Sequence, residues 1–424
     1  MAKRHKIVPH DWDSVFRRLD ELCHANSISD SFWPILKLVF CIALETKRNF
    51  SVAESPRTLE AKEQFNAVLM AIEKEWPKTF PYEPNDLGMS ESLLVLCLKE
   101  LEGITLDFNN LEFMDALFES LMLRSSKGEK GQFFTPRHVV DFCVEVLAPS
   151  ADQHVADIAC GSGAFLVSAL QRDARNLKTT NTNVWGFDID LKAIAVARLN
   201  LIALGKDPNH IVFADSLKKG NKQSDILGAE NLTIERLMAN RQGLFQGFDV
   251  IITNPPFAGD VMDASLLNDY ELYKKGRRNE RDVMFIERCI ELLKPGGALA
   301  IIVPTNKLGA KKFEYVRNFL LTNLRVFGIT SLPREIFAPH TVQKTEIIFA
   351  IKRQRPVVKI PESESILFAI SEKSGKSSTG QPQFKDHANA DAADLKLLDH
   401  DLYDAIPNLI LSKNVAIADS GTRD

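Results

Sequence analysis

The sequence has few cysteines, little surplus charge and no long uninterrupted apolar run. None of its six cysteines lies in a C-x-x-C pair, and no nearby histidines complete a zinc set, so neither a metal site nor a disulfide framework is predicted. Reduced thiols are typical of a cytoplasmic protein. The longest apolar stretch, residues 32–44, contains Lys37 and is too short to span a bilayer, and the basic start of the chain leads into no apolar run. We therefore expect no membrane segment and no signal peptide.

The balance of charge also limits the partners that the chain can bind alone. Its 52 basic and 56 acidic side chains give a formal net charge of −4. A protein that grips the DNA backbone unaided usually carries a basic surplus or a dense basic patch. One basic segment, KKGRR at 274–278, could contact phosphates or could be a solvated surface loop, because Glu271, Glu280 and Asp282 dilute its charge. Strong unaided DNA binding is therefore not expected.

The first part of the chain predicts helices. Apolar residues recur at helical spacing over residues 12–22, 91–101 and 111–123. The aromatic side chains here are interpreted as core. We predict a helical N-terminal domain over residues 1–125, followed by a polar linker at 125–131.

A different pattern runs through residues 126–355, where short apolar strands alternate with amphipathic helices such as 191–204. This alternation predicts an α/β domain with a doubly wound, mainly parallel sheet. In such sheets ligands bind at the carboxyl ends of the strands. The predicted strands are 155–159, 184–188, 211–214, 248–253, 298–303 and 346–351.

The last region, residues 356–424, predicts a C-terminal extension. Residues 371–390 are polar and are predicted to be a loop or a flexible stretch. A helix such as Asp394–Ile406, ending before Pro407, could dock a partner.

A glycine turn follows the first predicted strand. It runs from Asp157 to Gly163, with Gly161 between them, and leads into a helix. Glycine at such a turn lets the backbone adopt positive φ and pass close to a ligand. The dinucleotide fingerprint needs a third glycine, and Leu166 stands in its place. The turn alone is weak evidence for a nucleotide site.

Acidic residues at two further strand ends strengthen this hypothesis. Asp188 could accept both ribose hydroxyls of an adenosine moiety, and Asp215 could bind an adenine amine. Each aspartate by itself could equally be a helix cap or a turn residue. Asp190 fits the capping role better than Asp188. Three acids at three successive strand ends favour a shared adenosine-containing ligand.

The strand at 248–253 leads directly into Asn254-Pro255-Pro256-Phe257. The two prolines remove amide donors, so hydrogen-bond acceptors dominate this strand end. Acceptors suit an exocyclic amine, whose lone pair localises when both N–H groups are hydrogen-bonded and can then attack a sulfonium methyl. The aromatic ring of Phe257 offers a stacking face for an extruded base. A plain turn is the alternative for the proline pair in isolation.

Read together, GQFFTPRHVV (131–140), DIACGSGAF (157–165), GFDID (186–190), ADSL (214–217) and NPPF (254–257) resemble the N6-adenine DNA methyltransferases. The resemblance is to the modification subunits of type I restriction-modification systems and covers most of the chain. It implies the class I fold of methyltransferases that depend on S-adenosylmethionine, with residues 126–355 as the catalytic domain.

The resemblance also implies residue roles. It places Phe134, Thr135 and Pro136 at the methionine end of S-adenosylmethionine, Asp157 at its amino group, Gly161 and Gly163 along its backbone, Asp188 at the ribose and Asp215 at the adenine. It gives the catalytic role to the loop Asn254, Pro255, Pro256 and Phe257, in which Asn254 and the Pro255 carbonyl hold the target amine. No metal is implied.

The implied activity is adenine-specific methylation of double-stranded DNA. The implied partners are a DNA-specificity subunit and a restriction nuclease subunit. An alternative is methylation of a protein glutamine or of RNA, because Asn-Pro-Pro followed by an aromatic residue also serves those planar amines. A third hypothesis, an inactive subunit that senses the cofactor, is disfavoured by the intact loop from Asn254 to Phe257.

Overall fold

The computed structural model describes residues 12–47, 59–102, 119–121, 134–176, 183–219, 233–242, 246–257, 259–276, 278–385 and 398–421. The chain forms two compact units. The first comprises Met1–Glu129 with Ala195–Asn209, and the second comprises Lys130–Ile194 with His210–Asp424. The predicted linker at 125–131 and most of the predicted helix at 111–123 lie outside the described residues.

The described part of the first unit is helical, as predicted. Its helices are α1 (Trp12–Ala25), α2 (Phe32–Lys47), α3 (Leu59–Glu75) and α4 (Glu91–Glu100). Apolar residues such as Phe16, Phe40 and Leu69 are fully buried or nearly so, which confirms that aromatic residues form the core here.

Lys37 of α2 shows how an apolar helix accommodates a charge. It is buried, and its ammonium donates to the carbonyls of Tyr82, Glu83 and Asp86 at 3.1, 2.7 and 2.7 Å. Three acceptors use all three of its N–H donors. The lysine is therefore part of the core, and no described helix of the chain is both long and apolar enough to cross a membrane.

The second unit is built on one sheet with helices around it. Its strands are β1 (Val155–Asp157), β2 (Val184–Asp188), β3 (Ile211–Phe213), β4 (Phe248–Thr253), β5 (Leu293–Pro304), β6 (Leu324–Ser331), β7 (Thr345–Lys352) and β8 (Leu367–Ile370). Its helices are α5 (Arg137–Leu147), α6 (Ala164–Asn176), α7 (Leu191–Ala203, which continues into the first unit), α8 (Ile234–Gln242), α9 (Ala264–Leu267), α10 (Glu271–Gly276), α11 (Arg281–Leu292), α12 (Thr305–Gly309), α13 (Glu314–Asn323) and α14 (Ile406–Gly421).

The strand order is β3-β2-β1-β4-β5-β7-β6-β8. All pairs are parallel except those made by β7, which runs antiparallel to both β5 and β6. The order reverses beside β1, because β2 lies on one side of it and β4 on the other. This is the doubly wound, mainly parallel sheet that the sequence predicts, and its switch point lies between β1 and β4.

All six predicted strands are present, but β6 and β8 were not predicted. β6 follows α13 with no glycine or proline between them, and Arg325 and Gly328 interrupt its apolar pattern. Arg325 is nevertheless buried, because Glu364 lies 3.7 Å away and the carbonyl of Ser365 accepts from it at 3.0 Å. A tertiary ion pair thus lets a charged residue occupy a buried strand position.

The C-terminal region contributes to the sheet unit. β8 pairs with β6, and the fully buried Leu409 of α14 packs on Gly328 of β6 so closely that a Cβ there would lie 2.3 Å from Leu409 Cδ2. The predicted helix Asp394–Ile406 is wrong over its described part, because α14 begins only at Ile406 and has Pro407 in its first turn. Residues 394–397 of that prediction lie outside the described residues. Proline has no N–H to lose at a helix start, so there it initiates the helix. In the polar stretch, residues 371–385 form only isolated bridges, and 386–390 lie outside the described residues.

We predict that Leu409→Ala destabilises the protein by about 2–5 kcal/mol, because it leaves a cavity against β6. Leu411→Ala on the same helix is the control, since Leu411 is 63% exposed, and should change stability by less than about 0.5 kcal/mol. Thermal and urea unfolding of both variants measure this difference. Equal effects of the two variants would show that α14 does not pack as described.

Candidate active site

The glycine turn connects β1 to α6 at the carboxyl edge of the sheet. Gly161 and Gly163 have φ values of +52° and +81°, which side chains other than glycine rarely adopt. A Cβ added to Gly161 would meet no atom within 4 Å, so open space lies beside the turn. The Cys160 N–H donates to the Phe187 carbonyl of β2 at 3.0 Å and ties the turn to the neighbouring strand.

Asp157 ends β1 and is almost completely buried. Burial, with a smaller contribution from the nearby Asp188, raises the pKa of this carboxyl to about 7. Two neighbouring groups lower the pKa of Asp157 and so oppose this rise. The Ala159 N–H donates to Asp157 Oδ1 at 3.1 Å, and the Thr253 hydroxyl lies nearby without a formed hydrogen bond. A buried carboxyl with so few hydrogen bonds to stabilise its charged form is well suited to bind a cation.

Asp188 ends β2 and lies beside the glycine turn. Its two oxygens accept the N–H groups of Gly161 and Asp190, each at 2.9 Å, and burial raises its pKa. A carboxylate has about four acceptor positions, so the two hydroxyls of a ribose can still be accommodated. Asp190 accepts the Lys192 N–H at 2.7 Å at the start of α7, which confirms Asp190 as the cap.

Asp215 lies in the loop after β3, where Oδ1 accepts the Leu217 N–H at 3.0 Å. Two side chains that the sequence did not single out hold this loop. Tyr270 donates to the Leu217 carbonyl at 2.7 Å, and Arg288 donates to those of Ser216 and Lys218 at 2.7 and 3.2 Å. Both are fully buried, and nothing in their sequence context distinguishes them from ordinary core residues.

The Asn254 loop begins where β4 ends. The Asn254 amide nitrogen donates to Thr135 Oγ1 at 3.0 Å, across 119 residues of sequence. Its carbonyl oxygen, Oδ1, is buried and has no hydrogen-bond partner in the described structure. An unused acceptor therefore lies at this strand end, as the proline-rich sequence predicts.

The Phe257 ring is 7% exposed and packs edge-to-face on Phe337, with 5.6 Å between ring centroids and 77° between planes. This contact sets the orientation of the ring. Stacking of Phe257 on a base stays a prediction.

Phe134, Thr135 and Pro136 precede α5 and are brought to the same edge. The Phe134 ring lies 6.4 Å from that of His340, and Pro136 starts the helix with a φ of −54°. The next residue, Arg137, donates to the Ala164 carbonyl at the start of α6, at 3.4 Å. The segment thus contacts both the glycine-turn helix and Asn254.

The described part of the KKGRR segment contributes to a basic surface, which we define as Lys274, Lys275, Arg278, Lys311 and Lys312; Arg277 lies outside the described residues. The Arg278 guanidinium and the Lys312 ammonium lie 5.8 and 4.7 Å from the centroid of the Phe313 ring. The ring of Tyr315 approaches Gly276 so closely that a Cβ there would lie 2.2 Å from its Cζ, so α10 and α13 meet. Glu271 pairs with Lys275, and Glu280 lies 3.5 Å from Arg278. The other three lysines are exposed.

Several buried polar atoms at the carboxyl edge lack partners within the described ranges. They are Thr253 Oγ1, Asn254 Oδ1, Asp282 Oδ2 and Thr305 Oγ1. Burial raises the pKa of Asp282 to about 6, while the Lys307 ammonium 3.2 Å away lowers it. Buried polar atoms are normally paired, so a group of unpaired ones fits a polar ligand at this edge. No three His, Cys, Asp or Glu side chains of the described residues are grouped as a metal site requires.

Two curated relatives illustrate the similarity of the chain to known proteins. The methylase subunit of the type I restriction enzyme EcoEI from Escherichia coli is 27% identical over 251 residues, which are 57% of this chain and 46% of that protein. The tRNA1(Val) (adenine(37)-N6)-methyltransferase of Porphyromonas gingivalis is 30% identical over 194 residues, 45% of this chain and 65% of that protein. The chain thus spans about half the length of the first relative.

Two solved structures share the fold. A modification subunit assigned to a type I restriction enzyme of Vibrio vulnificus has a TM-score of 0.57 at 21% identity and covers 87% of both chains. A structure from Listeria monocytogenes, described as a class I S-adenosylmethionine-dependent methyltransferase, has a TM-score of 0.50 at 17% identity, with 94% of this chain and 99% of that one covered. These likenesses confirm the predicted fold class.

The match to a family model covers the same region as the site. Residues 112–401 match the model described as N-6 DNA Methylase, and this range is more than half of the 424-residue chain. It includes every candidate residue from Phe134 to Phe257. The chain therefore belongs to the N-6 DNA Methylase family.

Proposed function

We propose that the chain transfers the methyl group of S-adenosylmethionine to the exocyclic N6 amine of a flipped-out adenine in DNA, as the modification subunit of a restriction-modification system. The observation that carries this proposal is the buried Asn254 Oδ1, an acceptor without a partner at the end of β4. Membership in the N-6 DNA Methylase family supports the choice of an amine as the acceptor of the methyl group.

The described residues fit the cofactor. Gly161 leaves open space beside the turn, Asp157 is a buried carboxyl poised for a cation, and Asp188 keeps acceptor capacity. Asp157 would hold the amino group, Asp188 the ribose hydroxyls and Asp215 the adenine, while Phe134, Pro136 and Gly163 would line the rest of the site. Thr135 lies between Phe134 and Pro136 and contacts Asn254. Bound S-adenosylmethionine supplies a methyl group already activated by its sulfonium charge.

The protein's part in the reaction is to position the amine and to make its lone pair available. Asn254 Oδ1 and the Pro255 carbonyl would accept the two N–H groups of the target, which localises the lone pair on nitrogen. Pro255 and Pro256 contribute no N–H donors that would compete for these acceptors. Preorganised acceptors in a buried site stabilise the developing positive charge on nitrogen more strongly than water does.

We expect Asn254→Ala to lower methyl transfer by about a hundredfold or more, because it removes an acceptor that acts on the reacting amine. Affinity for S-adenosylmethionine should stay near that of the unaltered protein. Calorimetry and a methylation assay on the same preparation measure both quantities, and the exposed Asn268→Ala is the control. Substantial residual activity would remove Asn254 from the catalytic role.

The raised pKa of Asp157 predicts how cofactor binding depends on pH. With a pKa of about 7, this carboxyl is expected to hold a proton in the free protein at lower pH, whereas the complex with a cationic amino group requires the carboxylate. Binding should therefore release a proton, and affinity should fall as the pH is lowered from about 7 to about 5. Calorimetry in buffers of different ionisation enthalpy counts the released proton.

Asp157→Asn is the matched variant for that experiment. It should bind S-adenosylmethionine more weakly at pH 7.5 and show a smaller change in affinity between pH 5 and 7 than the unaltered protein, with Asp188 as the remaining buried carboxyl whose pKa is raised. Proton release that persists in Asp157→Asn would assign the titration to another group.

DNA binding is proposed to need a specificity subunit, with a restriction nuclease as a further partner. The net charge of −4 offers little unaided affinity, and extrusion of a base costs a few kcal/mol that contacts elsewhere on the DNA must supply. Lys311 and Lys312 of the basic surface follow β5 by way of the short helix α12, and the surface suits the phosphates that flank an extruded base. We propose that it contributes these contacts within the assembled complex.

We predict that Lys311→Glu combined with Lys312→Glu weakens duplex binding by the complex and reduces the slope of log affinity against log salt concentration by about 2. Lys359→Glu is the control, because Lys359 is also highly exposed but belongs to another part of the unit. Electrophoretic mobility shifts at several salt concentrations measure the slope. Tight, sequence-selective binding by the isolated chain would instead favour a solitary methyltransferase.

RNA is the second candidate substrate, because one relative is a tRNA adenine-N6 methyltransferase. The same acceptors would serve an adenine in either nucleic acid. Tritiated S-adenosylmethionine offered with duplex DNA, tRNA or protein, with and without the products of neighbouring genes, separates the candidates. Transfer to tRNA by the chain alone would overturn the DNA proposal, and transfer to protein would favour a glutamine substrate.

A further inference from the structure

The carboxamide of Asn254 has two ends of nearly equal size and opposite hydrogen-bonding character. The oxygen accepts hydrogen bonds, and the nitrogen donates two. A half-turn about the last side-chain bond exchanges them. Only one orientation serves a target amine, because a donor facing the N–H groups of the target would repel them.

The contacts of Asn254 select between these orientations. The amide nitrogen donates to Thr135 Oγ1 at 3.0 Å, and the buried Oδ1 has no partner. The reversed orientation would let the threonine hydroxyl donate to the oxygen, but it would leave the NH2 group buried without an acceptor. A buried orphan donor is rarer in proteins than an under-used carbonyl, so the observed orientation is the more stable one.

Thr135 is itself held by the helix start that follows it. The following Pro136 starts α5 with its restricted φ, and Arg137 ties that start to the Ala164 carbonyl of α6. The hydroxyl is therefore presented by a helix start and not by a free loop. Resting on the function proposed above, we infer that Thr135 is a positioning residue that directs Asn254 Oδ1 toward the target amine.

This role differs from the one that the sequence resemblance implies for Thr135. A residue that only lines the methionine end of the cofactor would change the affinity for S-adenosylmethionine. A residue that orients Asn254 would change the rate of transfer at saturating cofactor and leave that affinity almost unchanged.

The test compares Thr135→Val, which keeps the shape of the side chain and removes the hydroxyl, with Thr135→Ser, which keeps the hydroxyl. Thr135→Val leaves the Asn254 NH2 group without its acceptor, which predicts roughly tenfold to hundredfold slower single-turnover methylation. Thr135→Ser should stay within about threefold of the unaltered protein. Calorimetry should find cofactor affinities within about threefold for all three proteins, and thermal unfolding checks that both variants fold.

A second measurement needs neither substrate nor activity. In protein labelled with 15N-asparagine, the side-chain NH2 signals of Asn254 are identified by their loss in Asn254→Ala. The Asn254 amide proton that is hydrogen-bonded to Thr135 Oγ1 should exchange slowly with water in the unaltered protein and in Thr135→Ser. It should exchange rapidly in Thr135→Val.

The outcomes separate this inference from the proposed function. Equal single-turnover rates of Thr135→Val and the unaltered protein would overturn the positioning role, as would a Thr135→Ser rate as low as that of Thr135→Val. Recovery of the Thr135→Val rate by excess S-adenosylmethionine would assign Thr135 to the cofactor. If the unaltered protein methylated no nucleic acid, the proposed function would fail, while the exchange measurement would still report whether Thr135 holds the amide.

Discussion

The candidate site depends on the hydrogen-bonded register of β1 with its two parallel neighbours. Asp157 pairs with Gly186 of β2, and Ala156 pairs with Ile251 of β4. Because these three strands run in the same direction, the residues that follow them meet at one edge of the sheet. The glycine turn, Asp188 and the Asn254 loop are distant in sequence and become neighbours because of this register.

Burial gives this edge its chemical character. Removal from water raises the pKa of Asp157 and Asp188 and leaves the Asn254 oxygen without a donor. Each of these features disfavours the ligand-free state, since buried polar groups normally find partners. A ligand that supplied a cation and N–H donors would relieve them together, so the same burial that costs stability favours binding.

Sequence patterns predicted the helices, strands and caps that are encoded by residues close together in the chain. Six strands alternated with helices, and Asp190 stood where a helix needs a cap; the structure confirms both. β6 escaped prediction because its buried Arg325 depends on Glu364, a partner that is close only in the folded protein. The helix expected before Pro407 was wrong because proline permits both a helix start and a helix end, and the packing of Leu409 on β6 decides between them.

The sequence by itself determined the residue types of the site and their order: a glycine turn, acids at successive strand ends, and acceptors followed by two prolines. Composition and spacing carry that information because each motif is encoded within a few neighbouring residues. Tertiary structure alone decided which side chains support them. Tyr270 and Arg288 hold the carbonyls of the Asp215 loop, and Thr135 holds the amide of Asn254, across 119 residues in the last case. Hydrogen bonds over such separations follow from the sheet register and helix packing, which no local pattern records.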